Sequence, residues 1–119
     1  MSDSETGSEL INNVRDQGDA LIATLHGEVD LHNSPDLRGN LLRLLETKKP
    51  KRLVLNLADV PYMDSSAIAV LVETLQRVRK HGGSVYLTNL QPRVKGLLEI
   101  ARLETIFVVA ADEADALKR

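Results

Sequence analysis

Cysteine and tryptophan are absent from the 119 residues, and Tyr62, Tyr86 and Phe107 are the whole aromatic complement. Without thiols there is no disulfide framework, no thiolate nucleophile and no thiolate metal site, a composition that suits a reducing compartment. So few aromatic rings leave no base-stacking platform for single-stranded nucleic acid. Fifteen Lys plus Arg against seventeen Asp plus Glu give a formal net charge of -2, so no basic surplus points to a nucleic-acid partner either. No apolar run approaches the roughly 18 residues of a membrane span, and Met1-Ser2-Asp3-Ser4-Glu5 lacks the basic and apolar regions of a signal peptide. A soluble, cytoplasmic protein without membrane insertion is expected.

What is present is aliphatic. The apolar fraction is 43%, drawn almost wholly from Leu, Val, Ile and Ala, and the length suits one domain with an ordinary two-layer core. The Ser-, Asp- and Glu-rich start cannot bury enough apolar surface to offset ordering its backbone, so residues 1–9 are expected to form a disordered tail ahead of a domain over 10–117.

Along the chain, Leu10 to Arg15 is a weak strand pattern, Asp16 to Asp19 a turn and Ala20 to Gly27 a better strand, together an opening hairpin. Ser34-Pro35 places a favoured N-cap before a proline at the first helical position, and Leu37, Leu41, Leu44 and Leu45 follow at helical spacing. Leu53-Val54-Leu55-Asn56-Leu57 lacks alternation, as expected of a central strand covered on both faces. The next helix starts at Asp64 or Ser65, with Ile68, Leu71, Val72, Leu75 and Val78 as its apolar stripe. His81-Gly82-Gly83 ends it, Ser84 to Thr88 is a strand, Gln91-Pro92 opens a third helix, Ile106 to Val109 is a short strand, and Asp112 to Leu117 a final helix. The order predicts an α/β domain: a mixed, mostly parallel sheet of about five strands, begun by an antiparallel hairpin and backed by about four helices.

The chemistry concentrates at Met63-Asp64-Ser65-Ser66, where a strand hands over to a helix. Local features leave two readings open: either serine caps the helix, or an exposed hydroxyl there takes up a phosphate that helix N-terminal amides can receive. A hydrolase serine would need the glycine-flanked elbow that Asp64-Ser65-Ser66-Ala67 lacks, and no phosphate-binding glycine loop precedes a helix. His26, His32 and His81 are scattered without paired metal-ligand spacing. No enzymatic activity, cofactor or metal is therefore expected. Asp30 and Asp64 each follow a strand and precede a helix, which brings them to one sheet edge if those strands run parallel.

Gly27-Glu28-Val29-Asp30, the central strand at Leu53 to Leu57, Met63-Asp64-Ser65-Ser66 before a helix, and Gly82-Gly83 before a strand together resemble a STAS domain over residues 10 to 117. The match is to the stand-alone anti-sigma factor antagonists. The resemblance implies a partner-switching protein that binds a serine-kinase anti-sigma factor when unphosphorylated and is monomeric when free. The kinase would phosphorylate Ser65, and a PP2C-type serine phosphatase would restore binding. By the same carry-over Asp30, Asn33, Ser34, Asp64, Ser66, Ala67 and Ile68 form the partner surface. Family members commonly have glycine where this chain has Ala67 and Ala69, which stiffens the first helical turns and adds a methyl at each place. The alternative carried by the same resemblance is an unmodified STAS accessory subunit of a larger assembly, such as a lipid-transporting ABC system.

Overall fold

The structure, a computed structural model, describes residues 10–119; the N-terminal tail expected at 1–9 lies outside them. Strand β1 (Ile11–Gln17) turns through Gly18, at φ +64°, into β2 (Ala20–His26). There follow α1 (Ser34–Lys48), β3 (Arg52–Asp59), α2 (Ser65–Arg79), β4 (Ser84–Thr88), α3 (Pro92–Ile100), β5 (Val108–Ala110) and α4 (Glu113–Lys118). The strands lie side by side in chain order, β1 antiparallel to β2 and the others parallel, as the pattern of strands and helices predicts.

Alternation along the strands divides the core. Leu53, Leu55 and Leu57 of β3 pack on one face with Leu37, Leu41 and Leu45 of α1, Leu71, Leu75 and Val78 of α2, and Val94 and Leu98 of α3. Val54 points the other way, into a smaller cluster with Ile22, Tyr86, Ala110 and Ala116 of α4. The central strand is thus covered on both sides, which accounts for its apolar run from Leu53 to Leu55. Toward the C-terminal ends of the strands this second face turns polar: Thr24, Asn56 and Thr88 stand in register on adjacent strands. Here Glu113 Oε2 accepts from Arg15 Nη2 at 2.9 Å and from Asn56 Nδ2 at 2.8 Å, tying α4 to β1 and β3. The Arg15 bond, with help from Asn56 and against partial burial, holds the Glu113 carboxyl below its usual range.

Strand β1 runs two residues past the expected Arg15 and β3 extends beyond Leu53 to Leu57 at both ends, and two further boundaries differ from the sequence expectation. The last strand starts at Val108 instead of Ile106, because the amides of Ile106 and Phe107 turn back to donate to Leu103 O at 3.1 and 3.2 Å. That turn drives Phe107 into the helical-side core. At α1 the capping position belongs to Asn33, and Ser34 is the first helical residue, buried because it shares the inward face with Leu37, Leu41 and Leu45. Asn33 gives the helix no side-chain cap, since its amide group is engaged within the preceding loop.

Candidate functional site

The edge formed by the C-terminal ends of the parallel strands carries the site, and its geometry begins in the backbone. Beyond β2 and β3, chain pairing continues through an isolated parallel bridge between Val29 and Met63. Val29 N donates to Tyr62 O at 3.1 Å and Asp64 N to Val29 O at 3.1 Å, while Gly27, at φ +92°, bends the chain so that its amide reaches Asp59 O at 2.9 Å. Asp30 and Asp64 each follow a member of the bridged pair. Two loops distant in sequence are therefore held together before any side chain takes part.

Asp64 completes the junction. It is the N-cap of α2, and its Oδ1 accepts from Ser66 N at 2.9 Å, Ala67 N at 3.3 Å and Ser66 Oγ at 2.6 Å. Its other oxygen, Oδ2, accepts from Leu31 N at 2.9 Å, so one carboxylate caps a helix and staples the neighbouring loop. Led by the Ser66 hydroxyl, these donors favour the charged form and lower the Asp64 pKa against the opposing effect of desolvation. The cap is thus the aspartate and neither serine.

The loop from Asp30 to Asn33 is fixed by its own polar groups. Asp30 Oδ1 accepts from His32 N at 2.9 Å and Asn33 N at 3.3 Å, in the manner of an Asx turn. Asn33 Oδ1 accepts from Asp30 N at 2.9 Å, and Asn33 Nδ2 donates to Glu28 O at 3.0 Å. Ser34 N closes the loop on Asp30 O at 2.8 Å.

The two serines differ. Ser65 is the first residue of α2 and is exposed, and among the described residues its hydroxyl has no hydrogen-bond partner. Ser66 is half-buried with its hydroxyl committed to Asp64. Of the other residues expected at a partner surface, Asp30 and Asn33 are half-buried at the edge, whereas Ser34, Ala67 and Ile68 are buried. Ala67 is wholly inaccessible because the helical period places it on the inward face with Leu71, Thr74 and Val78, so its methyl packs in the core. Its side chain and that of Ser34 support the surface from beneath. Of the two alanines that stand where glycine is common, only Ala69 is exposed.

The sequence puts Leu31 and His32 on the loop after Asp30 that leaves partner preference open, without counting them among the partner-surface residues; with Asp30 and Asp64 they line an open depression of about 600 Å³. Leu31 is 74% exposed. The available signal was an apolar residue inside an otherwise polar turn. No group of three or more His, Asp or Glu is placed to hold a metal ion among the described residues, and no helix there is long and apolar enough to cross a membrane.

Sheet order, the antiparallel first strand and an exposed serine at a paired loop edge define a single α/β module built to present that edge. Residues 12–116 match the STAS domain, and the chain belongs to that family. The anti-sigma-B factor antagonist of Bacillus subtilis is 40% identical over 85 residues, 71% of this chain and 76% of that protein. An anti-sigma factor antagonist from Mycobacterium paratuberculosis superposes with a TM-score of 0.80 at 22% identity, over 91% of this chain and 92% of that one. The antagonist SpoIIAA superposes with a TM-score of 0.75 in its unphosphorylated form, at 19% identity over 90% of this chain and 93% of that one. In its phosphorylated form the TM-score is 0.68, at 18% identity over 90% of this chain and 96% of that one. At such identities the structural likenesses are of fold.

Proposed function

We propose that this chain is an anti-sigma factor antagonist that works by partner switching. Unphosphorylated, it binds a serine-kinase anti-sigma factor through the edge around Asp30, Asn33, Asp64, Ser65 and Ser66. Phosphorylation of Ser65 by that kinase releases it, and a PP2C-type serine phosphatase resets it. The observation that carries the reading is the state of the Ser65 hydroxyl: exposed, uncommitted, and held at the first position of a helix whose cap is supplied by another residue. A kinase can reach this oxygen without opening the fold. The relatives named as antagonists agree with the role, and SpoIIAA, of the same fold, is named in both phosphorylated and unphosphorylated forms.

The switch follows from charge. A phosphate on Ser65 adds about -1.5 to -2 beside the Asp64 carboxylate and near Asp30. The helix N-terminus tolerates that charge within the chain, since its dipole favours anions. A partner surface fitted to a neutral hydroxyl does not. A loss of only about 3 kcal/mol at the interface weakens binding more than a hundredfold.

The test uses the purified serine-kinase anti-sigma factors of the source organism. Ser65→Ala is expected to keep binding and to resist phosphorylation, while Ser65→Glu weakens binding about a hundredfold or more by calorimetry. Equal affinities of the alanine and glutamate variants would refute the switch.

A further inference from the structure

Among the described residues, the large apolar side chains left exposed are Val14, Leu31 and Ile100. Isolated exposed leucines are common and by themselves mean little. Leu31 differs in its setting. Ile100 closes α3, and Val14 lies where the β1 ladder shifts register between Asn12 and Arg15. Leu31 lies on the loop joined to the N-cap of α2, one residue from Ser65.

The loop around Leu31 is built to hold still. The amides of Asp30, Leu31, His32, Asn33 and Ser34 all donate, to Asn33 Oδ1, Asp64 Oδ2, Asp30 Oδ1 and Asp30 O. Polar groups that could have solvated the loop are spent on fixing its backbone, and the result is an isobutyl group held out in water. A side chain presented on a backbone already ordered loses little further entropy on docking. Polar neighbours line the same open depression: half-buried Asp30 and Asp64, and exposed His32. An apolar centre with a polar rim is the anatomy of an interface anchor.

Resting on the partner-switching reading, we infer that Leu31 is the apolar anchor of the interface, inserting into a hydrophobic pocket of the serine-kinase anti-sigma factor whose rim supplies hydrogen-bond donors. Scale supports the placement. A standard interface covers about 800 Å² on each partner, so a protein that covers Ser65 also covers a residue tied to the adjoining Asp64. The polar cluster sets the docking geometry and Ser65 carries the switch, while Leu31 supplies the burial that neither can. The identity of the residue at position 31 then selects among kinases that share a phosphoacceptor geometry.

Leu31→Ala and Leu31→Ser, with Leu31→Met as the conservative control, test this against the purified serine-kinase anti-sigma factors of the source organism. Loss of the buried side chain is expected to weaken binding about tenfold or more in calorimetry. Leu31→Met should retain most of the affinity. The KM of the kinase for the chain rises in the same proportion, whereas kcat for Ser65 phosphorylation at saturation and the thermal midpoint of the chain stay unchanged. A Kd within about twofold of wild type for both truncations overturns the anchor and leaves the partner-switching reading intact. Failure of the unaltered chain to bind any of these kinases overturns that reading and the anchor with it.

Discussion

Replacing Ser65 by alanine leaves Ser66 as the nearest hydroxyl, and its environment makes it a poor substitute for a kinase. Ser66 Oγ donates to Asp64 Oδ1 at 2.6 Å, a charge-assisted bond, and the residue is half-buried where Ser65 is exposed. To attack a phosphoryl donor the Ser66 oxygen must give up that bond and turn outward. A hydrogen bond to a charged group contributes about 1.5–3 kcal/mol, and each 1.36 kcal/mol is a factor of ten in rate. Phosphorylation at Ser66 should therefore run about ten- to 150-fold slower than at Ser65 on this contribution alone. Removing the Ser65 hydroxyl does not change the calculation, because Ser65 takes no part in the Ser66 bond. The assay is a time course with ATP and the purified serine-kinase anti-sigma factors, with site occupancy read by mass spectrometry for wild type, Ser65→Ala and Ser66→Ala. Wild type and Ser66→Ala are expected to be modified at Ser65, and Ser65→Ala to remain nearly unmodified over the same interval. Ser65→Ala phosphorylated on Ser66 at a rate within threefold of wild type would refute the reasoning, because the 2.6 Å bond would then offer no protection.

The remaining predictions concern what holds the site and the sheet. In Asp64→Ala the amide of Ala67 keeps the backbone carbonyl of residue 64 as acceptor, but the amides of Leu31 and Ser66 lose theirs. Hydrogen exchange should accelerate at the latter two while β3 stays protected, and unchanged protection at Leu31 would show that the carboxylate does not staple the loop. Glu113→Gln weakens the bonds from Arg15 and Asn56 and should cost about 1 kcal/mol in urea denaturation, a figure reduced for partial solvent exposure. Because the folded-state pKa of Glu113 is lowered, its contribution is fully present above the unfolded value near 4.3 and is lost as pH falls through the folded value. Stability should thus decline in acid, with Glu113→Gln less sensitive to pH below about 5; equal acid slopes for the two proteins would exclude this linkage.

Much of the architecture was legible in the sequence because it is written in short-range periodicity. The apolar run from Leu53 to Leu55, resumed at Leu57, marks the central strand, and the stripe of Ile68, Leu71, Leu75 and Val78 marks the face that α2 turns to the sheet. Gly18 and Gly82 take up the positive φ that their turns require. The strand-like side chains of Ile106 and Phe107 predict an earlier start for the final strand, yet their amides are claimed by Leu103 O. At the site, the common edge of Asp30 and Asp64 follows from two parallel strands each leading into a helix, as the sequence pattern indicates. The burial of Ser34 and Ala67 is also encoded in helical spacing, although the family resemblance implies surface roles for them.

By itself, the sequence determined the order of strands and helices, the two-faced burial of β3 and the turn that bears Asp64, Ser65 and Ser66, since each depends on neighbours within a few residues. The choice of Asp64 as the cap of α2 and of Ser65 as the free serine is made by bonds that span two or three residues, among candidates the local pattern leaves open. Only the tertiary structure decided that the loop after Asp30 is held against that cap, a pairing between segments far apart in the chain. Asp64 Oδ2 is claimed by an amide 33 residues away, and Arg15 meets Glu113 across 98 residues. No local pattern records such a pairing; it exists once the parallel strands have brought their loops to one edge.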